Sequence, residues 1–306
     1  MKFKMSRIVL KLGLLLVIIL VLLVACGKTT DQTEPILLGY PGNPIIANDQ
    51  WSPVVSEFEG VEMVLVPAGC FTIGSTEAEI NTAFDHCRES RIWRVCEQFW
   101  FFDEAPQAEI CFQKPFWIDV TEVTNQQFGT PGSFLDDDLP RQIVTWFEAV
   151  EYCEARGARL PTEAEWEYAT RGPDGLLYSW GNEFDSLLFN YCDASCEFRW
   201  RDEYGNDGKG YTAPVGSYPA GVSWVGALDM LGNVYEWTNS IYVDYPYNSD
   251  DGRETPGNRN DSTWRVIRGG SWIDEVHFAR AANRFWADPT VKYIDVGFRC
   301  VLSDQD

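Results

Sequence analysis

The chain has 306 residues, 45% of them hydrophobic and 23% charged, which is the composition of a folded globular protein and excludes a disordered one. Its formal net charge of −22 excludes nucleic acid and anionic lipid surfaces as favoured partners, because like charges repel. The aromatic fraction of 14% indicates a core rich in rings.

The N-terminus predicts a signal peptide over residues 1–25. Four basic residues precede a stretch from Leu12 to Ala25 that is almost wholly apolar and short for a membrane-spanning helix. The ending Leu23-Val24-Ala25-Cys26 resembles the lipobox of bacterial lipoproteins, in which cleavage precedes the cysteine and lipid is attached to its thiol. An uncleaved membrane anchor is the alternative. The lipoprotein and the uncleaved anchor both predict an extracytoplasmic protein of the cell envelope that is held at the membrane.

Without residues 1–25 the chain keeps 20 basic and 46 acidic residues, so it is more acidic still. Such an excess forms a solubilising surface or supplies ligands to calcium. Residues 26–57 are rich in Thr, Pro, Gly and Asn and predict a poorly ordered tether. We expect one folded domain over residues 58–303.

Two strands with a Pro-Ala-Gly turn between them are predicted for "VEMVLVPAGCFTIGS". We expect residues 76–104 to form a partly helical insertion. The segment "KPFWIDVTEVTN" after it predicts another strand. Two helices then follow capping-box patterns, Thr145-x-x-Glu148 and Thr162-x-x-Glu165. From Gly172 onward the chain has little periodicity, so we expect long loops that disulfides or metal hold in place.

Eight cysteines follow Cys26, an even number that favours disulfides in an oxidising compartment. The spacing allows Cys192 with Cys196, and Cys87 with Cys96, to close local loops. A zinc site is the weaker alternative, because neither histidine of the chain lies at ligand spacing from a cysteine pair.

Three segments together resemble the formylglycine-generating enzyme, or sulfatase-modifying factor, family. They are "RLPTEAEWEYATRG", "APVGSYPAGVSWVGALDMLGNVYEWT" and "VIRGGSW…ARAANR…VGFRC", and they occur in the family's order and spacing. The resemblance covers roughly residues 60–302. It implies an α+β fold related to C-type lectins, with little regular secondary structure.

The resemblance also implies two Ca²⁺ sites and two disulfides. The first site takes the side chains of Asp229 and Glu236 with the carbonyls of Gly232 and Val234. The second takes the side chains of Asn190 and Asp207 with the carbonyls of Tyr191 and Lys209. Ordinary Asx turns are the alternative at both. The implied disulfides join Cys153 to Cys300, and Cys70 to Cys111 in neighbouring strands.

The family's enzyme oxidises a cysteine of client sulfatases to formylglycine with oxygen and copper, and two cysteines after the "GGS" motif bind Cu(I). The first of these positions is Asp274 here, and no cysteine lies between Trp272 and Trp286. Carboxylates are hard ligands that suit Cu(I) poorly. A tryptophan common in the family is replaced by Tyr235. Copper is therefore not an expected cofactor.

We expect a non-catalytic module that binds a protein, peptide or glycan through a face with exposed tryptophan rings. Its candidate residues are Ser271, Trp272, Asp274, His277 and Trp286. One alternative is an enzyme, either a divergent oxidase or another modifying activity, in which Asp274 and His277 bind a different metal or act as an acid–base pair. Another is a structural subunit that pairs with an active family member. The arginines at 268, 280, 284 and 299 are predicted to neutralise buried acids and bond loop carbonyls.

Overall fold

The computed structural model describes residues 38–89, 96–257 and 262–303. The predicted signal peptide, the lipidation site Cys26 and the first part of the predicted tether lie outside these ranges. Among the described residues, none of the helices has the length and apolar character needed to cross a bilayer. The rest of the predicted tether carries structure: Ile45 is fully buried and forms an isolated parallel β-bridge with Gly69.

The first sheet is antiparallel, with strand order β1–β2–β5–β10. Its strands are β1 (Val55–Phe58), β2 (Val61–Val66), β5 (Phe116–Asp119) and β10 (Val301–Ser303). Strand β1 therefore begins within the segment predicted as tether. Strand β10 comes from the end of the domain and pairs with β5. This pairing joins the two ends of the folded chain.

A separate antiparallel pair consists of β3 (Gly69–Ile73) and β4 (Ala108–Phe112), with Cys70 directly opposite Cys111. The predicted insertion between them contains helix α1 (Glu77–Glu89) and a 3-10 segment (Gln98–Glu104). This confirms that the insertion is partly helical.

Three further helices follow: α2 (Asn125–Phe128), α3 (Trp146–Ala155) and α4 (Glu163–Arg171). Each begins with a complete capping box, and those of α3 and α4 are the two predicted boxes. Thr162, for example, accepts a bond from the Glu165 amide at 3.1 Å, and Glu165 accepts one from the Thr162 amide at 2.8 Å. Reciprocal bonds of this kind satisfy two amides at a helix start that have no partner within the helix.

The third sheet has strand order β8–β7–β6–β9, with β6 and β9 parallel. Its strands are β6 (Tyr235–Ile241), β7 (Arg265–Arg268), β8 (Arg284–Ala287) and β9 (Val296–Gly297). Most other residues after Gly172 lie in turns and loops. The predicted α+β class with little regular secondary structure is confirmed.

Four disulfides hold these elements together: Cys70–Cys111, Cys87–Cys96, Cys153–Cys300 and Cys192–Cys196. They are the four pairs expected from the sequence. The bond between Cys153 and Cys300 joins α3 to the residue before β10 across 147 residues. Every cysteine of the described residues is therefore oxidised.

The four predicted structural arginines each reach a buried glutamate. Arg284 donates to Glu163 at 2.8 and 3.0 Å, and the other pairs are Arg268–Glu167, Arg280–Glu104 and Arg299–Glu236. They also donate to carbonyls, as Arg268 does to Ala282 and Asn283. Because Glu163 and Glu167 belong to α4, two of the pairs fix the third sheet to this helix.

Replacing Glu163 with Gln tests the importance of these pairs. The change keeps the side-chain shape but leaves Arg284 buried without a counter-charge, so we expect a loss of about 3–5 kcal/mol in unfolding free energy. Chemical denaturation measures it. The control is Lys292→Gln, which removes an exposed ion pair to Glu148 and is expected to cost about 1 kcal/mol or less. Equal losses in the two variants would contradict the assigned role.

Candidate functional site

A tight turn after β7 places Ser271 and Asp274 at the position that the family resemblance gives to copper. Gly269 and Gly270 open the turn with φ of 102° and 75°, a backbone region that favours glycine. The Ser271 hydroxyl then donates to Asp274 Oδ2 at 2.6 Å. The Asp274 carbonyl accepts a bond from the Cys192 amide at 3.0 Å, so the Cys192–Cys196 loop fixes this segment.

Asp295 and Tyr235 complete this group, and we call Tyr235, Ser271, Asp274 and Asp295 the acidic site. Strand pairing brings them together, since the Tyr235 amide donates to the Asp295 carbonyl at 2.8 Å. Burial raises the pKa of Asp274 to about 7, and repulsion from Asp295 adds to the rise. Burial also raises the pKa of Asp295. The site offers four oxygen groups and no sulfur, which suits a cation or a hydrogen-bonding ligand better than Cu(I).

The expectation that Trp272 is an exposed ring is wrong. Its side chain is 3% exposed and packs among Phe134, Phe198 and Tyr211, with ring centroids at 5.8, 5.9 and 5.3 Å. Burying a large ring against other rings is the more favourable arrangement. Trp272 therefore supports the loops behind the acidic site. Trp286 is partly exposed, and its ring stacks on that of Trp264 at 3.7 Å.

His277 is also buried, with 1% of its surface exposed, and it packs on Phe101 and Phe278. Neither ring nitrogen has a hydrogen-bond partner in the described part of the chain. The Glu275 carboxylate lies 3.5 Å from Nε2, while burial and the Arg280 charge lower the pKa of His277 to about 3. The carboxylate of Asp274 accepts its hydrogen bond from Ser271 and not from His277. The two residues proposed as an acid–base pair thus have different surroundings.

The residues of the first implied Ca²⁺ site meet beside Arg299. Asp229 accepts a bond from the Gly216 amide at 2.5 Å, while Glu236 is held by Arg299 and by Trp166 Nε1 at 2.9 Å. Glu122, which the sequence analysis did not single out, joins them. Both of its carboxylate oxygens are buried without a partner in the described residues, and burial together with Asp229 raises its pKa well above the usual range. One arginine therefore faces three carboxylates.

The second implied site lies next to the first, because the Asn190 carbonyl accepts a bond from the Asn233 amide at 2.8 Å. Asn190 Oδ1 is buried and has no partner among the described residues. The Asp207 carboxylate accepts bonds from the amides of Tyr191 and Lys209, at 3.2 and 2.7 Å. Burial raises its pKa to about 7, and nearby Asp193 contributes to that rise. The unpartnered amide oxygen and this carboxylate are donors that suit calcium.

The buried acids differ in whether an arginine accompanies them. Ion pairs form at Glu104–Arg280, Asp119–Arg156, Glu163–Arg284, Glu167–Arg268 and Glu236–Arg299. Two further acids, Asp103 and Glu254, accept bonds from tyrosine hydroxyls. In the described ranges, no arginine forms a direct ion pair with Glu122 and Asp229, with Asp193 and Asp207, or with Asp274 and Asp295. Burial raises the pKa of both Glu122 and Asp229 and the charge of Arg299 opposes that rise, but Arg299 is bonded to Glu236. A buried acid without a counter-charge is costly, so these three places favour an external cation.

Side chains alone do not make a metal centre here. Across residues 38–89, 96–257 and 262–303, no three His, Cys, Asp or Glu side chains are grouped in a way that could hold a metal ion. A Ca²⁺ site at either implied position would therefore need the backbone carbonyl and amide oxygens as well. Calcium accepts such ligands.

Several residues of these places could not be identified from sequence alone. Neither Asp193 nor Asp295 lies in a recognisable motif. Folding of a loop brings Asp193 to the second implied Ca²⁺ site, and strand pairing brings Asp295 to the acidic site. Glu122 lies inside the segment "KPFWIDVTEVTN", which was predicted only as a return to a strand, so no local pattern marked it as part of a site.

The family model described as a sulfatase-modifying factor enzyme 1-like domain matches residues 52–304. This is most of the chain, and it includes the acidic site and both implied Ca²⁺ positions. The chain therefore belongs to the sulfatase-modifying factor family, as the resemblance predicted.

Curated relatives include both active and inactive members of this family. The inactive C-alpha-formylglycine-generating enzyme 2 of Mus musculus is 35% identical over 61% of this chain and 58% of its own length. The formylglycine-generating enzyme of Bos taurus is 32% identical, over 78% of this chain and 74% of its own. The formylglycine-generating enzyme of Mycobacterium tuberculosis is 36% identical, over 69% of this chain and 67% of its own length. The chain thus spans little more than half of the inactive relative.

Two solved structures share the fold. PvdO from Pseudomonas aeruginosa superposes with a TM-score of 0.63 at 25% identity, over 83% of this chain and all of PvdO. Treponema denticola variable protein 1 superposes with a TM-score of 0.57 at 19% identity, over the same shares of the two chains.

Replacing His277 with Phe should flatten the pH dependence of stability. The folded protein keeps His277 neutral down to about pH 3, whereas the unfolded chain binds a proton near pH 6.5. Unfolding therefore takes up a proton between these values, and the unfolding free energy falls as the pH falls, by up to about 1.4 kcal/mol per pH unit. Urea denaturation at several pH values between 7.5 and 4.5 measures the slope. An unchanged slope in the variant would show that His277 titrates normally.

Proposed function

We propose that this protein is a non-catalytic binding member of the sulfatase-modifying factor family. The observation that carries the proposal is the state of the cysteines. All eight in the described residues are paired in disulfides, and the first copper-ligand position is Asp274. Since Cu(I) requires soft ligands such as thiolates, the oxygen groups of the acidic site do not fit it.

The names of two relatives support this proposal. Inactive C-alpha-formylglycine-generating enzyme 2 matches this chain at 35% identity in Mus musculus and 34% in Bos taurus. Loss of the oxidase activity on a retained scaffold is therefore compatible with this degree of similarity. A fold supports many functions, so the chemistry of the site decides the activity.

We further propose that lipid on Cys26 anchors the protein on the outer side of a membrane. The apolar stretch before Cys26 and the oxidised cysteines of the domain support this location. The ligand is then a protein, a peptide or a glycan presented outside the cytoplasm.

Bound Ca²⁺ is proposed as part of the scaffold. Asp229, Glu122 and Glu236 surround a single arginine at one position. Asp207 and the unpartnered Asn190 Oδ1 lie at the other. Calcium would neutralise these carboxylates and hold the loops on which the acidic site depends. The metal content of the purified protein tests the idea directly.

A second candidate is an enzyme that does not use copper. The Ser271 hydroxyl lies 2.6 Å from Asp274, whose pKa of about 7 suits a general base at neutral pH. The acidic site could then activate a hydroxyl group or a water molecule. A copper-independent enzymatic activity of the wild-type protein that is lost in the Asp274→Asn variant would support this candidate over the binding module.

The decisive experiment is a turnover assay on a peptide that carries the cysteine of a sulfatase motif. The full-length protein in detergent is supplied with Cu(I) and oxygen, and mass spectrometry detects the peptide aldehyde. The formylglycine-generating enzyme of Mycobacterium tuberculosis is the positive control. We expect aldehyde from the control and none from this protein. Copper-dependent aldehyde formation by the wild-type protein would refute the proposal.

A further inference from the structure

Four aromatic rings in and beside the third sheet follow one another, and we call Tyr235, Phe285, Trp286 and Trp264 the aromatic row. Successive centroids are 6.1, 5.7 and 3.7 Å apart. The planes differ by 27°, 4° and 6°, so the rings are nearly parallel. Phe285 and Trp286 are consecutive residues of the edge strand β8, Trp264 directly precedes β7, and Tyr235 is the first residue of the inner strand β6.

Part of this row is in contact with solvent. Phe285 is 45% exposed and Trp264 is 46% exposed, and Trp286 between them is partly exposed. Large rings usually contribute most to stability when they are buried, as Trp272 is. A contiguous group of exposed rings is typical of a binding surface.

The aromatic row starts at the acidic site. Tyr235 is both its first ring and a neighbour of Asp274. Burial raises the pKa of Tyr235, and the nearby charges of Asp274 and Asp295 add to that rise. Asp274 and Asp295 are half-buried, and unlike most of the buried acids of this chain they have no arginine partner in the described residues. The family resemblance implies Ca²⁺ at the other two places of this kind and none at the acidic site.

The two features favour the same chemical group. An ammonium or guanidinium group is attracted to the face of a tryptophan ring, and buried carboxylates gain a counter-charge from it. The net charge of −22 also attracts a positively charged partner and repels an acidic one. Tyr235 is buried, so three rings of the row face solvent. Three rings in succession are longer than a single small amine, so a chain of residues fits them better.

Building on the proposed binding function, we propose that the acidic site and the aromatic row bind a lysine- or arginine-bearing segment of another protein. One basic side chain enters between Asp274 and Asp295, where the Ser271 and Tyr235 hydroxyls supply further polar contacts. Neighbouring residues of the segment lie along Phe285, Trp286 and Trp264. The interaction is non-covalent.

Fluorescent hexalysine and hexaarginine serve as probes, titrated into the full-length protein in detergent at physiological salt. Asp274→Asn with Asp295→Asn should weaken binding about tenfold. Trp264→Ala with Trp286→Ala should weaken it roughly threefold or more, and removes rings rather than charge. The matched control is Glu57→Gln with Glu62→Gln, two exposed acids that face each other in the first sheet. It replaces the same number of carboxylates with amides and should leave binding within about twofold.

Thermal unfolding of each variant checks that it is folded. If the Asp274→Asn, Asp295→Asn variant (the acid variant) does not fold, the Trp264→Ala, Trp286→Ala variant still tests the proposal, because its rings are on the surface. Equal weakening by the acid variant and its control would mean that the whole acidic surface attracts the probes, and would overturn the proposal. So would a wild-type protein that binds neither probe. If cellohexaose binds through the same rings and the basic probes do not, the proposed binding function is retained. The proposal of a lysine- or arginine-bearing partner is then refuted. Aldehyde formation in the turnover assay would refute the module itself.

Discussion

The pairing of buried glutamates with arginines is the constraint on which the rest of this structure depends. The third sheet and the loops around it contain little regular secondary structure, so backbone hydrogen bonds alone do not fix them. Arg268 and Arg284 attach this sheet to α4 through Glu167 and Glu163, while Arg299 holds Glu236 beside the first implied Ca²⁺ position. Each pair becomes favourable when its partners reach their positions together, because a single buried charge is costly.

The same constraint distinguishes the places at which we propose that this chain binds Ca²⁺ or a partner. An acid with an arginine partner is satisfied within the fold, whereas the carboxylates near Asn190, near Glu122 and at the acidic site lack one in the described residues. At the acidic site this follows from a change of ligand type. The family resemblance implies that a carboxylate stands at the position of a thiolate, and that a tyrosine replaces a tryptophan common in the family. The scaffold that positions copper ligands in the family's enzyme would here position oxygen groups for a cationic partner.

The sequence predicted the parts of the fold that local patterns determine. The capping boxes of α3 and α4, the strands β2, β3 and β5 and the structural role of the arginines were all visible in it. The family motifs supplied the disulfide between Cys153 and Cys300. Exposure was harder to predict: Trp272 follows a glycine turn as a surface residue would, yet distant loops carrying Phe134 and Phe198 cover it. Asp295 reaches Asp274 only through the pairing of β9 with β6, and that is a long-range feature without a local pattern.

The most direct test of this account is the metal specificity of the full-length protein purified in detergent. Mass spectrometry after dialysis measures its metal content, a Cu(I) competition titration measures copper affinity, and a thiol assay on the denatured protein counts unpaired cysteines. The account predicts about two Ca²⁺ ions per chain, no free thiol in the folded domain and no specific Cu(I) binding. Tight Cu(I) binding with a free thiol pair would contradict it, and so would a protein that retains no calcium.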